Sequence, residues 1–119
     1  MNMARREAGE PFWRISVDEA REMLYGGNAV VIDVRDPNEW AAGHVKGAIH
    51  VPVDDVLARI GELPRDKDLL FICAQGVRSG LACEIAASMG LDPENLYNIE
   101  DGTPKWIANR LPTSRGNNP

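Results

Sequence analysis

Cysteine is scarce in this chain of 119 residues, and its scarcity excludes one class of protein at once. The two cysteines, Cys73 and Cys83, are too few for the disulfide framework of a small secreted fold. They stand ten positions apart and form no C-x-x-C pair of the kind that holds a metal or cycles between thiol and disulfide. A reducing compartment therefore fits the cysteine content best.

Long apolar runs are missing as well. No stretch of the sequence approaches the length that a membrane-spanning helix needs. The first seven residues carry charge, but no apolar run follows them, so we expect no secretory signal peptide. We therefore expect a cytoplasmic protein that does not take a membrane as its partner.

Positive charge is in the minority. The chain has 13 Lys and Arg against 18 Asp and Glu, which gives a net charge of −5 at pH 7, and no long basic run interrupts this balance. A general affinity for nucleic acid or for an anionic membrane needs an excess of basic side chains. The composition therefore excludes nucleic-acid binding as the expected function.

What the chain does contain is an alternation of strand and helix patterns. Short runs over residues 29–33, 48–51, 69–72 and 95–99 predict strands. The runs at 29–33 and 69–72 are apolar without alternation, which is typical of parallel strands covered by helices on both faces. The sequence therefore predicts a single α/β domain over residues 12–111, with flexible termini at 1–11 and 112–119.

Capping signals place the helices between these strands. Ser16 and Glu19 have the spacing of a capping box, so they predict a helix that ends near residues 26–27. Asp54 is predicted to cap a second helix that continues to residue 60, and Thr103 to cap the last one. Residues 79–89 are predicted to form the helix between them, with one apolar stripe, and Gly90 to end it. The stripe consists of Leu81, Ile85 and Met89.

Cys73 is the most informative residue for chemistry, because it follows the strand 69–72 directly and precedes a helix. Parallel α/β folds bind ligands at this end of their strands, and a helix N-terminus favours an anion. A thiolate is such an anion, and its pKa at such a position falls from about 8.5 to roughly 3.5–7.5. Gly76 is the residue most able to adopt the positive φ that lets the loop curl around the sulfur. Arg78 is predicted either to steer an anionic donor or to brace the loop against a carboxylate.

Several stretches of the chain carry motifs in a fixed order. They are Val31-Ile32-Asp33-Val34-Arg35, Glu39-Trp40, Gly43-His44-Val45-Lys46-Gly47-Ala48-Ile49 with Pro52, Cys73-Ala74-Gln75-Gly76-Val77-Arg78-Ser79, and Gly102 with Trp106. Together they resemble the signatures of the rhodanese homology domain family, the single-domain rhodanese-like sulfurtransferases. The motifs span roughly residues 16–111.

The resemblance implies a five-stranded, mostly parallel sheet flanked by helices on both faces, and a sulfurtransferase whose nucleophile is Cys73. Its thiolate would take a sulfane sulfur from thiosulfate or a persulfide donor and pass it to cyanide or a thiol, including a protein thiol. This chemistry needs no cofactor. The backbone amides of the loop and the helix N-terminus that follows are expected to stabilise the charged sulfur, so the predicted substrate-binding residues are Ala74, Gln75, Gly76, Val77, Arg78 and Ser79. Asp33 and Arg35 are predicted to support the site through an ion pair.

Two other functions stay open. The first is a sulfur-carrier or regulatory module whose Cys73 is loaded and unloaded only by particular proteins. The second, phosphatase or arsenate reductase activity, is disfavoured because related phosphatases resemble His-Cys-x5-Arg, whereas here Ile72 precedes Cys73 and Arg78 lies one position earlier. Relatives that use thiosulfate tend to carry basic residues where this chain has Ala74 and Gln75, which favours a persulfide donor.

The remaining reactive side chains are predicted to be structural. Cys83 lies on the apolar arc of the helix that follows the loop, so we expect it to pack in the core. His44 and His50 lack a matching set of cysteine or acidic ligands, so we predict no metal site and expect His44 to bond to the backbone. Trp40 and Trp106 are expected to anchor the core.

Overall fold

Strands alternate with helices over much of residues 4–119, the part of the chain that the computed structural model describes. The strands are β1 (Trp13–Ile15), β2 (Ala29–Asp33), β3 (His44–Val45), β4 (Ile49–His50), β5 (Asp68–Ile72), β6 (Leu96–Ile99) and β7 (Thr113–Ser114). The α-helices are α1 (Val17–Tyr25), α2 (Pro37–Ala42), α3 (Val77–Ser88) and α4 (Gly102–Ala108). Short 3-10 segments lie at Val53–Asp55, Ile60–Glu62 and Pro93–Asn95.

The main sheet has five strands in the order β1-β6-β5-β2-β4, and every neighbouring pair is parallel. The central strand β5 pairs with β2 through Ile72 opposite Asp33, and with β6 through Ile72 opposite Ile99. The carboxyl ends of three strands therefore meet at one edge of the sheet. Cys73 follows β5 at the middle of that edge, where parallel folds place their ligand sites.

Strand β5 also shows why its sequence has no polar alternation. Leu69 and Phe71 pack into one hydrophobic cluster with α3, whereas Leu70 and Ile72 pack into a second cluster that includes Trp106 of α4. All four strand residues are at most 1% exposed. The sheet is covered on both faces, and the predicted fold class is confirmed.

The predicted capping box at the start of α1 is confirmed. The Ser16 hydroxyl accepts from the Glu19 amide at 3.1 Å, and the Glu19 carboxylate accepts from the Ser16 amide at 2.7 Å. These two bonds satisfy two amides that a helix N-terminus leaves without partners within the helix. The helix ends with Gly26 as its C-cap, as the sequence predicts.

The predicted apolar stripe on α3 is wrong. Leu81 and Met89 are 49% and 43% exposed, and the buried face consists of small side chains instead. Those side chains are Ser79, Ala82, Cys83 and Ala86. Helix α3 lies close to the sheet: a methyl group added at Gly80 would sit 3.3 Å from the Asn98 amide of β6. Small residues on the inner face permit this close approach, which larger residues would prevent.

The helix predicted to begin at Asp54 is wrong too. This segment forms two separate 3-10 turns, Val53–Asp55 and Ile60–Glu62. A 3-10 turn repeats every three residues, and this spacing brings Val53 and Val56 to the same hydrophobic cluster while Leu57 stays 56% exposed. The core is therefore filled here without a regular α-helix.

Both ends of the described chain make backbone contacts. Near the N-terminus, Arg5 forms an antiparallel bridge with Arg14. Near the C-terminus, strand β7 pairs with β3, and Lys46 donates its amide to the Pro112 carbonyl at 3.0 Å. The flexibility predicted for residues 1–11 and 112–119 stays a prediction, and residues 1–3 lie outside the described part. No helix among residues 4–119 is long and apolar enough to cross a bilayer.

Candidate active site

The candidate site is the loop between the end of β5 and the start of α3. Strand β5 stops at Ile72, and α3 begins at Val77 with Gly76 as its N-cap. Gly76 has φ +85°, and a methyl group there would lie 2.8 Å from the Glu100 carbonyl oxygen. The loop therefore needs glycine at this position for two reasons, backbone conformation and space.

The loop turns its amides toward the sulfur. Cys73 Sγ accepts from the Gly76 amide at 3.1 Å and from the Ser79 amide at 3.3 Å, and the Ser79 hydroxyl oxygen lies 3.2 Å away. Cys73 as a whole is only 1% exposed. The thiol thus sits buried inside a small polar cradle.

The cradle changes the acidity of the thiol. Burial raises the pKa of Cys73, but the Ser79 side chain and the amides of Ser79, Gln75 and Gly76 lower it by more, so the net pKa lies below its ordinary value. The N-terminus of α3, which carries partial positive charge, also points toward this loop. Donors that favour the charged form are what a nucleophilic cysteine requires.

Helix α4 supports the loop from the other side. The Cys73 carbonyl accepts from the Thr103 amide at 2.9 Å. Gly102 has φ +75°, and a methyl group at this position would lie 2.0 Å from the Ala74 carbonyl oxygen. Gly102, the glycine of the motif with Trp106, therefore lies against the backbone of the cysteine loop. The contact made by Thr103 was not predicted from the sequence.

Asn98 is the other residue that the sequence analysis missed. Its Oδ1 accepts from the Ser79 hydroxyl at 2.6 Å, and its Nδ2 donates to the Gly76 carbonyl at 3.0 Å. A signal was present in the sequence, since Asn98 is a polar residue one position before the end of a strand. In the structure it is only 3% exposed. Buried amides of this kind are nearly always hydrogen-bonded.

Comparison with known proteins decides the family. Residues 16–109 match the family described as Rhodanese-like domain, and this match covers more than half of the chain. The chain belongs to the rhodanese-like domain family. It is 37% identical over 78 residues to the uncharacterized protein YqhL of Bacillus subtilis (strain 168), which covers 66% of this chain. The aligned part is 60% of YqhL, so the match spans about three fifths of that relative.

Solved structures show the same rhodanese-like fold. The crystal structure of a rhodanese-related protein from Thermoplasma volcanium matches with a TM-score of 0.75 and 30% identity, covering 85% of this chain and 96% of the other. A rhodanese with anions from E. coli matches with a TM-score of 0.61 and 32% identity, covering 74% and 99%. The rhodanese-like domain of this chain is thus similar to nearly complete chains of both proteins.

Arg78 of the rhodanese-like domain is engaged by a carboxylate. Its two terminal nitrogens donate to the two oxygens of Glu39 at 2.7 and 3.0 Å. This contact lowers the pKa of Glu39 to about 2, chiefly through the hydrogen bonds from Arg78. Of the two roles foreseen for Arg78, the structure shows the brace, which ties the start of α3 to α2.

Asp33 and Arg35 form a buried ion pair at the end of β2. The Arg35 guanidinium donates to Asp33 at 2.7 Å and to the Gly43 carbonyl at 2.8 Å, and both side chains are nearly or wholly buried. They tie the end of β2 to the turn before β3. Their position matches the supporting ion pair that the sequence analysis described.

The side chains of the remaining loop residues reach solvent to different degrees. Gln75 is exposed, Ala74 is half-buried, and Val77 is 77% exposed. Cys83, by contrast, is fully buried in the core, as predicted. His44 bonds to the Trp40 carbonyl at 2.7 Å, also as predicted. Among residues 4–119, no group of three or more His, Cys, Asp or Glu is placed to hold a metal ion.

Proposed function

We propose that this rhodanese-like domain is a sulfurtransferase that works through a persulfide on Cys73. The observation that carries the proposal is the cradle: the Cys73 sulfur accepts amide hydrogen bonds from Gly76 and Ser79 at 3.1 and 3.3 Å. Such donors stabilise a thiolate before the reaction, and the same fixed partial charges act on the charged persulfide after it. The substrate-binding role of the other loop residues, Ala74 to Arg78, belongs to this proposal.

The chemistry is a pair of displacements at sulfur. The Cys73 thiolate attacks the sulfane sulfur of the donor, a new S–S bond forms, and the old bond breaks. The donor leaves with the electron pair, as sulfite when the donor is thiosulfate and as a thiolate when it is a persulfide. An acceptor thiolate or cyanide then attacks the terminal sulfur, and the Cys73 thiolate leaves with its electron pair. No external oxidant, reductant or cofactor takes part.

The site favours a persulfide over thiosulfate as donor. Thiosulfate carries two negative charges, and the loop positions next to Cys73 are Ala74 and Gln75. The charge of Arg78 is compensated by Glu39 at 2.7 Å. Because backbone amides supply the positive potential of the site, it compensates one negative charge on a donor more readily than two.

A carrier module that acts only with protein partners is a second candidate. Val77 and Leu81, one turn apart on α3 beside the loop, are 77% and 49% exposed. Exposed apolar side chains next to a reactive centre suit contact with a protein that presents a thiol. Phosphatase or arsenate reductase activity is not proposed, because Arg78, the side chain expected to hold an oxyanion, is paired with Glu39.

Intact mass after incubation with thiosulfate, and separately with a small persulfide, tests the proposal. We expect a gain of one sulfur atom that cyanide or a thiol removes, with the persulfide loading faster. Failure of both donors to add sulfur to the folded protein would overturn the proposed sulfurtransferase activity. Stable loading with no discharge to small acceptors would favour the carrier module.

The proposed compartment is the cytoplasm. Cys73 and Cys83 are both free thiols. A nucleophile that must be a thiolate in its resting state works best where thiols stay reduced. Recovery of the activity from the soluble fraction of the native cell, with loss after a mild thiol oxidant, is the expected result.

A further inference from the structure

The hydrogen bonds around Cys73 form a closed ring of four side-chain and backbone groups. Cys73 Sγ contacts the Ser79 hydroxyl, Ser79 contacts Asn98, and Asn98 contacts the Gly76 carbonyl. Gly76 returns to the start through its amide, which donates to Cys73 Sγ. Ser79 is fully buried and Asn98 is 3% exposed, so water does not replace these partners freely.

The direction of each bond in the ring follows from donor chemistry. The Gly76 carbonyl only accepts, so the Asn98 group that faces it at 3.0 Å is the amide nitrogen. Asn98 Oδ1 therefore faces Ser79, and because an amide oxygen only accepts, the Ser79 hydroxyl donates to it at 2.6 Å. A hydroxyl has one proton, which leaves only lone pairs to face Cys73.

This assignment fixes the protonation state that suits the ring. A Cys73 thiol donates its proton to the Ser79 oxygen 3.2 Å away, and every group is then satisfied. A Cys73 thiolate instead faces the lone pairs of the same oxygen, which is unfavourable. The conflict is relieved by rotation about the Ser79 Cβ–Oγ bond, which moves the hydroxyl proton from Asn98 to the sulfur.

We propose that Asn98 is a positioning residue for the Ser79 hydroxyl. While Cys73 is a thiol, Asn98 Oδ1 accepts the hydroxyl proton; when Cys73 ionises, the hydroxyl turns and donates to the sulfur instead. Ionisation of Cys73 then breaks the short hydrogen bond between Ser79 and Asn98. Asn98 therefore makes formation of the thiolate less favourable. The proposal rests on the proposed function only in taking Cys73 as the nucleophile. It concerns the resting protein, before any donor is present.

Other charged or titratable groups lie on the elements around the ring and must be kept constant in any test. They are Arg78 and Cys83 on α3, Glu39 on α2, Asp33 and Arg35 at the end of β2, Glu100 and Asp101 after β6, and Glu10, Arg14 and Glu84 along the adjoining groove of about 440 Å³. Several are paired with each other, as Glu39 is with Arg78 and Glu10 with Arg14. A double-mutant cycle cancels their shared contribution, because each of these positions is the same in all four proteins.

The test is a cycle of Asn98→Leu and Ser79→Ala, read by the ultraviolet absorbance of the Cys73 thiolate against pH in a Cys83→Ala background. Asn98→Leu frees the hydroxyl for sulfur, so we expect the apparent ionisation constant of Cys73 to rise by about tenfold, one pH unit. Ser79→Ala alone should lower it, because the hydroxyl favours the thiolate, but by less than it does in the Asn98→Leu background, where the hydroxyl is not bound to Asn98. Ser79→Ala added to Asn98→Leu should remove that rise in the ionisation constant of Cys73. Asn109→Leu, which alters an exposed amide on the surface, is the control and should have no effect.

A purely structural role for Asn98 predicts the opposite sign. Loss of its bond to Gly76 would loosen the loop, disorder the amide donors and make Cys73 less acidic. A lower ionisation constant in Asn98→Leu, or equal effects of Ser79→Ala in both backgrounds, would overturn the proposal. Neither result depends on sulfur transfer, so failure here leaves the mass test of the proposed function unaffected.

A measurement on the protein with Asn98 and Ser79 intact covers the case in which the variants do not fold. The side-chain carbonyl carbon of Asn98 loses its hydroxyl donor when Cys73 ionises, so its NMR shift should titrate together with the thiol. The Asn98 side-chain amide protons should keep their bond to Gly76. A carbonyl shift that stays constant through the thiol titration would refute the movement of the proton.

Discussion

Cys73 and Cys83 are the same side chain in two buried places, and their acidities move in opposite directions. Cys73 is 1% exposed and Cys83 is 0% exposed, so exposure does not separate them. Burial raises the pKa of Cys83 well above its ordinary value. Burial also raises that of Cys73, but the surrounding donors lower it by more.

The difference lies in what each sulfur meets. Cys73 Sγ lies at a strand end where the amides of Gly76 and Ser79 are not used in regular structure. Cys83 lies in the middle of α3, where backbone amides are committed to the helix. The lowered pKa of Cys73 therefore depends on hydrogen-bond donors that the fold leaves facing its sulfur.

The largest expected effect comes from removing each thiol in turn. Cys73→Ala should abolish sulfur uptake, because no other group in the cradle attacks sulfur. Cys83→Ala should retain it and lose stability of roughly 1 kcal/mol through a small cavity. Intact mass after persulfide treatment, with thermal unfolding, measures both. Sulfur carried by the Cys73→Ala protein would break the comparison.

A steric change behind the loop should have the next largest effect. Gly102→Ala places a methyl group 2.0 Å from the Ala74 carbonyl, whereas Gly90→Ala, also at positive φ, meets nothing within 4 Å. Both variants bear the strain of a left-handed backbone, about 1 kcal/mol, and Gly102→Ala should cost roughly 1–3 kcal/mol more. Denaturant unfolding measures the costs. Equal losses would show that the loop yields without resistance.

Alkylation should distinguish the two thiols without any mutation. At neutral pH a small alkylating reagent should modify Cys73 and leave Cys83 unmodified until the protein unfolds. The rate at Cys73 should rise with pH and level off below the pH at which an ordinary cysteine does, because its pKa is lowered. Peptide-resolved mass spectrometry reads both sites. Preferential labelling of Cys83 in the folded protein would contradict the assignment.

The smallest effect should come from the ion pair of Glu39 with Arg78. The pKa of Glu39 is lowered to about 2, so its ion pair stabilises the fold above the unfolded-state value of about 4.3 and this stabilisation is lost as pH falls toward 2. Glu39→Gln should cost about 1 kcal/mol at neutral pH, since the pair is one-third exposed. The difference from the unmodified protein should vanish in acid.

The same variant sharpens the comparison between the thiols. Glu39→Gln leaves Arg78 without its carboxylate, so the positive charge is no longer compensated near Cys73. Cys73 should then ionise at lower pH and the KM for thiosulfate should fall, with Cys83 unaffected. Glu62→Gln, which removes the exposed pair with Arg59, is the matched control and should leave both properties unchanged. An unaltered KM in Glu39→Gln would show that Arg78 does not meet the donor.

Sequence reasoning predicted well where local rules act on neighbouring residues. The capping box of Ser16 and Glu19 is confirmed, because both partners lie within one turn. The strand 69–72 is confirmed, because a short apolar run without alternation fits a strand covered on both faces. The motif order also predicted the fold class, since motifs of one family fix one topology.

Sequence reasoning failed where contacts depend on the distance between elements that are far apart in the chain. The buried face of α3 is made of small residues because the helix lies against Asn98 of the sheet, a proximity that no helical pattern contains. Strands β1 and β7 have three and two residues, too short to show a period. Arg78 had two predicted roles, and only its position opposite Glu39 separates them.

The sequence alone determined that a cysteine directly follows the central strand, that a glycine lets the loop turn back, and that a helix begins after the loop. These features are local, since each depends on the order of a few residues. The tertiary structure decided what the sulfur meets: Asn98 from β6, Gly102 and Thr103 from α4, and the brace from α2. The physical reason is that hydrogen bonds and steric contacts depend on distance in space, and packing brings these residues together from separate parts of the chain.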